Sequence, residues 1–464
     1  MPRQSQTADA AGIKGTTLVI DNGGYTMKAG FVTTATPLLQ DCHIIPNCVA
    51  RDSEKKVWLA SQLEQCKDFR EMAFRRPVEK GFLVNWEVEK AIWNESFFTP
   101  SSELKCDPHE TNLLLTEAPN CPQTLQTNCD QMIFEEFEFA SYNRCLGLLL
   151  ANVNQGPALN AYNDVHTLFN DGNRVQNAHQ PAECLLVIDS GYSHTTITPL
   201  VYGRPVQQAV RRLDIGGKFL TNYLKEQLSI RAFYAMDETY VVNELKESAC
   251  FVSEQFKNDL DASWKGGKRN RREVDTSIVV DYVLPDYETI HHGAIRPHDP
   301  SAEKRGSAPL NQPSREKVVT LGNERFAIPE LLFNPGDVGM KEAGLPAMVM
   351  ESVEALPEGL RPAMLVNMVL IGGNANIPGL QKRLETEVRQ RAPSECNLSL
   401  ACPPNPIKQT WLGGAMIASQ RESLKQLLVT RADYLEHGPN WLIPSRMHIR
   451  LAAPRKEQDT KTPA

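Results

Sequence analysis

Apolar positions along the chain fall into short runs closed by turn residues, and these runs alternate with longer helix-like stretches. Leu18-Val19-Ile20-Asp21-Asn22-Gly23-Gly24-Tyr25 is one such run: an apolar strand ends in an aspartate, enters a tight Asn/Gly turn and returns as a polar–apolar strand. The pattern recurs, slightly shortened, as Leu186-Val187-Ile188-Asp189-Ser190-Gly191-Tyr192. Gly supplies positive φ and Asn or Ser satisfies the turn backbone, so each copy predicts a β-hairpin. The repetition predicts two similar α/β halves, each opened by a hairpin that carries an aspartate.

Further strands and helices fit between and around them. Asn112-Leu113-Leu114-Leu115-Thr116 reads as a strand, and 126–150 as a helix. Met368-Val369-Leu370-Ile371 reads as a strand that runs into Gly372-Gly373, with a helix starting near Pro378. Gly216-Gly217 precedes a helical 218–227. Strands alternating with helices give an α/β fold class.

Composition narrows the picture. The chain has 464 residues, a length that sets a prior of two to three domains, and its 41% hydrophobic content supplies real cores. Lys and Arg total 49 against 56 Asp and Glu, a net charge of −7 that speaks against a free-standing nucleic-acid binder. No apolar run has the length of a membrane span, and the first fifteen residues lack the pattern of a signal peptide. Eleven cysteines without a Cys-x-x-Cys pair imply reduced thiols in an intracellular chain and no zinc site.

Several segments read as loops or tails. Residues 152–183 are rich in Asn and show little periodicity, as an exposed excursion would. Residues 290–317 carry Pro297, Pro300, Pro309 and Pro313 among mixed charges and predict a disordered or partner-dependent insertion. Lys265-Gly266-Gly267-Lys268-Arg269-Asn270-Arg271-Arg272 is a basic run, either a solvated loop or a nuclear address or nucleic-acid contact.

Two glycine-rich hairpins that face each other can offer backbone N–H groups to phosphate oxygens, because the absent side chains let backbone approach closely. Asp21 and Asp189 at the strand ends would then hold a hydrated magnesium through water, since Mg²⁺ keeps much of its water shell. Lys28 adds a point charge, and Gly372-Gly373 and Gly216-Gly217 add close-approach sites. Together these features predict a nucleotide cleft.

Asp21-Asn22-Gly23-Gly24-Tyr25-Thr26-Met27-Lys28-Ala29-Gly30-Phe31 resembles the first phosphate loop of actin. Arg76-Pro77-Val78-Glu79-Lys80-Gly81, Leu114-Leu115-Thr116-Glu117-Ala118-Pro119, Gly322-Asn323-Glu324-Arg325-Phe326 and Trp411-Leu412-Gly413-Gly414 also resemble actin, in the same order. The likeness covers about 16–439. Asp189-Ser190-Gly191-Tyr192-Ser193, Met236-Asp237-Glu238-Thr239, Asp281-Tyr282-Val283-Leu284-Pro285-Asp286 and Val429-Thr430-Arg431-Ala432-Asp433-Tyr434 resemble the sixth class of actin-related proteins.

The resemblance implies an actin fold, two ribonuclease-H-like α/β halves around a nucleotide cleft. It divides the chain into a flexible start (1–15), a first half (16–182 and 409–450, with a shortened subdomain 2 at 43–76) and a second half (183–408). The subdomain 4 region would be 215–340, with the insertion 290–317, and 451–464 a flexible tail. Lys246 and Glu247 match the pair that approaches the nucleoside, and Gly372, Gly373, Asn374 and Asn376 match the adenosine loop. The bound group would be ATP or ADP with Mg. Without the other motifs, Lys246 and Glu247 read as an exposed helix face.

Departures from actin carry as much information as the matches. Each actin phosphate hairpin has the form Asp-x-Gly-x-Gly, and here the second glycine becomes Tyr25 in one loop and Ser193, beside Tyr192, in the other. The tyrosines either cap a bound nucleotide or fill the cleft. Registering the chain on Phe134-Glu135-Glu136-Phe137 puts Gly147 where actin has the glutamine that orients the attacking water. Phosphoryl transfer is mostly positioning and electrostatics, so fast hydrolysis is not expected. The 46–75 segment lacks actin's flexible filament-contact loop and Lys80 replaces a family histidine, so no filament is expected.

The sixth-class resemblance implies a non-catalytic nuclear subunit, with some cytoplasmic pool, of a SWR-type chromatin remodeller that exchanges a core histone for its variant. Its partners would be a Snf2-type remodelling ATPase and small zinc-containing subunits, with chromatin and histones contacted indirectly and no membrane. The alternative is an actin-like ATPase or cytoskeletal protein. A metabolite kinase on the same fold would need an aspartate base in a second-substrate pocket, and no motif supplies one.

Overall fold

The computed structural model describes residues 15–147 except Ala35, residues 183–298 except 265, 268, 269, 272–274 and 276, and residues 317–439. The excursion at 152–182, most of the 290–317 insertion, most of the N-terminal segment and the 451–464 tail lie outside the described residues.

Both hairpins form where the repeat places them. Thr17–Asn22 pairs antiparallel with Thr26–Val32, with Asp21 opposite Lys28. Cys184–Ser190 pairs antiparallel with Thr195–Val201, with Asp189 opposite Thr196. Each hairpin then gains a parallel neighbour on its first strand: Asn112–Glu117 in the first half and Met368–Ile371 in the second. The sequence repeat is thus a repeat of sheet topology. Leu186, Val187 and Ile188 are buried like Leu18, Val19 and Ile20, as strands covered on both faces require.

Ser141–Leu146, Asn112–Glu117, Thr17–Asn22, Thr26–Val32 and His43–Pro46 run side by side in the first sheet, with Val429–Thr430 on the edge beside Ser141–Leu146. The helix Gln409–Ser419 lies between the two sheets: Trp411 and Ala415 share one apolar cluster with Val19 and Leu114 of the first sheet and Val187 and Val369 of the second. The Trp411 indole donates to the Val19 carbonyl at 3.1 Å. This helix sets the two hairpins to face each other.

Two expectations are corrected and a third is refined. The helix expected over 126–150 ends early: Gln123–Gln131 is followed by one wide turn, Met132–Glu136, and then by the strand Ser141–Leu146. That strand is buried on both faces, so it shows no alternation. Its polar members are paired internally, Asn143 donating to the Leu427 carbonyl and Arg144 forming ion pairs with Asp130 and Glu117. In the 290–317 insertion, Ala294–Pro297 is a strand paired with Val280–Val283, so its first residues belong to a sheet. In the basic run, Gly266–Gly267 pairs with Asn270–Arg271 in a small hairpin.

Within 43–76, Val57–Leu59, Val49–Arg51 and Ala73–Arg75 pair in a small sheet of their own that builds a lobe, while His43–Pro46 joins that lobe to the first sheet. All eleven cysteines are free thiols. Among the described residues no helix is long and apolar enough to cross a membrane.

Candidate functional site

The two hairpin turns face each other across a cavity of about 520 Å³, a size typical of small-molecule sites. Asp21, Gly23, Gly24, Tyr25 and Lys28 line it from one side, and Asp189, Gly191 and Tyr192 from the other. Gly217, Lys246, Glu247, Gly372, Gly373, Asn374 and Asn376 complete its wall. Gly216 alone among the positions expected there lies outside the lining. It serves the packing behind it, since a Cβ at Gly216 would stand 2.6 Å from both the His194 amide nitrogen and the Tyr192 carbonyl oxygen. That close approach lets the first amides of the Gly217–Arg231 helix bond to the hairpin, Gly217 to the Gly191 carbonyl and Lys218 to the Tyr192 carbonyl.

The strand-end carboxylates are held in different ways. Asp21 Oδ1 accepts from the Thr116 hydroxyl at 2.9 Å, and its Oδ2 lies 3.4 Å from Lys28 Nζ. Among the described residues the Asp189 carboxylate accepts no such hydrogen bond, although the Lys28 charge also favours its ionised form. Burial, and then the nearby Asp21 charge, push its pKa up to about 6. A cation between the two carboxylates would relieve this repulsion. Among the described residues no cluster of three or more His, Cys, Asp or Glu side chains could ligate a metal. A magnesium ion at Asp21 and Asp189 would therefore complete its shell with water and ligand oxygens.

The glycine turn after Met368–Ile371 is shaped for close approach. Gly372 has φ +94° and ψ 170°, a region open essentially to glycine, and a Cβ there would run into Ser190 and stand 2.7 Å from Asp189 Oδ1. A Cβ at Gly373 would meet no heavy atom within 4 Å, so that position opens onto the cavity. The Asn374 side chain donates to Ser190 Oγ at 3.1 Å and to the Gly191 carbonyl at 2.9 Å, fastening this turn to the second hairpin.

Lys246 is buried, which overturns the exposed-face reading for that residue, whereas Glu247 stands exposed. Its ammonium donates to the Gly217 carbonyl at 3.2 Å, Thr221 Oγ1 at 2.9 Å and Asn243 Oδ1 at 3.0 Å. Burial lowers its pKa. Lys246 thus ties the Thr239–Ala249 helix to the start of Gly217–Arg231, while Glu247 accepts from Asn243 at 2.8 Å.

Tyr25 and Tyr192 pack against each other rather than filling the cleft. Their ring centroids are 4.8 Å apart and the planes are tilted by 39°. The Arg76 guanidinium lies 4.4 Å from the Tyr25 ring centroid and 5.2 Å from that of Tyr192, and Arg76 also donates to the Tyr25 carbonyl at 2.9 Å. The Tyr25 hydroxyl accepts from Asn243 Nδ2 at 3.1 Å. The pair forms one wall of the cavity and leaves its volume open.

Sequence reasoning missed the support beneath the first hairpin. Asn22 Nδ2 donates to Glu89 Oε1 at 2.7 Å, and Asn47 Nδ2 donates to Asn22 Oδ1 and to the Gly23 carbonyl, both at 2.9 Å. Asn85 caps the Trp86–Trp93 helix that presents Glu89, whose Oε1 also accepts from the Trp93 indole at 2.9 Å. Burial raises the Glu89 pKa to about 7. A glutamate in an amphipathic helix gives no sign in sequence of which face it takes. His194 was also missed; it lines the cavity, and burial lowers its pKa to about 4, keeping it neutral near pH 7. Gly147 lines the cavity at the end of Ser141–Leu146.

The actin family model matches residues 13–447. The chain belongs to the actin family. Among curated relatives, Actin-related protein 6 of Neurospora crassa is 48% identical, the match covering 92% of this chain and 93% of that protein. Actin-like protein arp6 of Emericella nidulans is 46% identical over 94% of this chain and 96% of its own length. Actin-related protein 6 of Drosophila melanogaster is 33% identical over 91% and 97%. The sixth-class resemblance is borne out by these names, and the α/β actin fold by the family match and the paired sheets. In this member of the actin family, both hairpins keep the aspartate and first glycine, while the second glycine gives way to Tyr25 in one and to Ser193, beside Tyr192, in the other.

Proposed function

We propose that this actin-family protein binds ATP or ADP with Mg in its cleft as a structural ligand, with little or no hydrolysis, and serves as a non-catalytic subunit of a SWR-type remodeller. The observation that carries the reading is the combination of a complete cradle and an incomplete catalytic wall. Asp21, Asp189 and the glycine turns line an open cavity, and no side chain extends from position 147 toward it. Asp21 and Asp189 would hold the cation through water, Gly372 and Gly373 would admit the nucleoside, and Glu247 would face its sugar side. Such a ligand stabilises the closed two-lobed state by mass action without turnover.

The remodeller assignment follows from the sixth-class likeness, together with an acidic net charge that favours protein partners over bare DNA. Its place of action would be the nucleus, with some cytoplasmic pool. Affinity purification of the tagged chain from nuclear extract, read by mass spectrometry, tests it. Co-purification of a Snf2-type ATPase with a small zinc-containing subunit and histones is expected. Recovery of the chain alone or as a filament would overturn it.

A further inference from the structure

In this protein the lobe at 43–76 is fastened across the cleft to the opposite half. Phe69 stacks on Tyr240 with ring centroids 3.8 Å apart and planes within 9°, and lies 6.0 Å from the Tyr287 ring. Cys48, Leu63, Phe69 and Met72 of the lobe share one buried cluster with Val241 and Tyr287 of the second half. A second contact lies nearer the cavity, where Tyr25 bonds Asn243 and packs at a tilt against Tyr192 beneath Arg76.

On the second half Tyr240, Val241 and Asn243 come from one helix, with Tyr287 and Tyr192 contributed from outside it. Tyr240, Asn243, Lys246 and Glu247 of Thr239–Ala249 recur at helical spacing and so share a face. Along that face Tyr240 meets the lobe, Asn243 meets the Tyr25 hydroxyl, and Lys246 and Glu247 line the cavity. Parting the halves must therefore expose an apolar cluster and separate two aromatic pairs before a buried ligand is released.

We propose that the Phe69–Tyr240 contact is a clasp that keeps the cleft shut, so that the nucleotide is retained rather than exchanged. This deepens the nucleotide reading above and rests on it for the ligand. The closed state is the ground state of the chain, and ligand release is limited by opening of the clasp.

The test uses the full-length chain loaded with a fluorescent ATP analogue in magnesium and chased with excess ATP. Phe69→Ala and Tyr240→Ala are compared with wild type, and Tyr240→Phe serves as the variant that keeps the ring. Release is expected to quicken at least tenfold in both alanine variants and to stay at the wild-type rate in Tyr240→Phe. Hydrogen exchange of the Val49–Arg51 and Ala73–Arg75 amides is followed in the same samples and is expected to lose protection in step. Tyr240 is only half-buried, so its alanine variant remains informative if Phe69→Ala does not fold. Unchanged release from both alanine variants overturns the clasp. If wild type takes up no nucleotide, the ligand reading fails, and hydrogen exchange alone decides the clasp: lost protection in Tyr240→Ala upholds it and unchanged protection overturns it.

Discussion

Tyr25 and Tyr192 occupy matching turns of the two repeated hairpins and meet across the cleft with ring centroids 4.8 Å apart. Where the actin pattern brings backbone to phosphate, this chain has built an aromatic wall, with Arg76 laid over both rings. The wall has separable parts. Tyr25→Phe keeps the stack and the cation contact but loses the bond from Asn243, which still donates to Glu247. It is expected to cost about 1 kcal/mol. Tyr25→Ala loses the ring as well and is expected to cost about 3 kcal/mol. Denaturant melts of the two variants measure the difference; equal losses would mean that the ring contributes nothing.

The paired glycines after Met368–Ile371 have different duties. Gly372→Ala forces a side chain into a glycine-only conformation and against Ser190, and is expected to destabilise by more than about 2 kcal/mol. Gly373→Ala meets open space, so its melting is expected to stay within about 1 kcal/mol of wild type while its methyl weakens ligand binding. Thermal melts with and without added ATP and magnesium separate the two effects. A Gly372→Ala protein that melts like wild type would contradict the geometry.

Glu89 makes stability depend on pH. Its pKa is raised by burial from the ordinary carboxylate value to about 7, so folding favours the protonated form. That contribution is complete below about pH 4.5 and is lost as pH rises through 7, with a slope of at most about 1.4 kcal/mol per pH unit. Glu89→Gln keeps an oxygen for Asn22 and Trp93 without the charge. It is expected to flatten the pH dependence between 5 and 8 and to gain about 1–3 kcal/mol at pH 8. Urea titrations at three pH values check this, and an unchanged slope would show that Glu89 is not the group responsible.

The parts of the fold that were legible in sequence are those set by local chemistry. The strand–Asp–turn strings at Asp21 and Asp189 fix hairpins through residues adjacent in the chain, and the glycine pairs at 216–217 and 372–373 mark helix starts and turns the same way. Ser141–Leu146 resembles helix in sequence because a strand buried on both faces has no alternation, and its Asn143 and Arg144 look like surface residues until Leu427, Asp130 and Glu117 are brought to them. The Phe69, Tyr240 and Tyr287 cluster was invisible because its members come from segments far apart in the chain. Thr116 was seen only as part of a family string, although its hydroxyl holds Asp21 and the Asn22 amide.

Position 147 bears on turnover. A Cβ at Gly147 would lie 3.0 Å from Thr410 Cγ2 and 3.7 Å from the Thr116 Cβ, so a longer side chain enters only if Thr410 gives way. The double variant Gly147→Gln with Thr410→Ala is expected to raise single-turnover ATP hydrolysis above wild type by tenfold or more, since an amide that orients water lowers the barrier by about 1.4 kcal/mol or more. An equal rate in the two proteins would place the block elsewhere in the cleft.

The most direct measurement is made on the wild-type chain itself. The protein is purified without added nucleotide, denatured, and its released nucleotide quantified; a second sample is loaded with radiolabelled ATP and magnesium and followed for phosphate release over hours. Close to one ATP or ADP per chain, with phosphate release no faster than in buffer, is the expected result. An empty protein that takes up no nucleotide, or one that turns ATP over repeatedly, would contradict the reading of the cleft as a holder of a structural nucleotide.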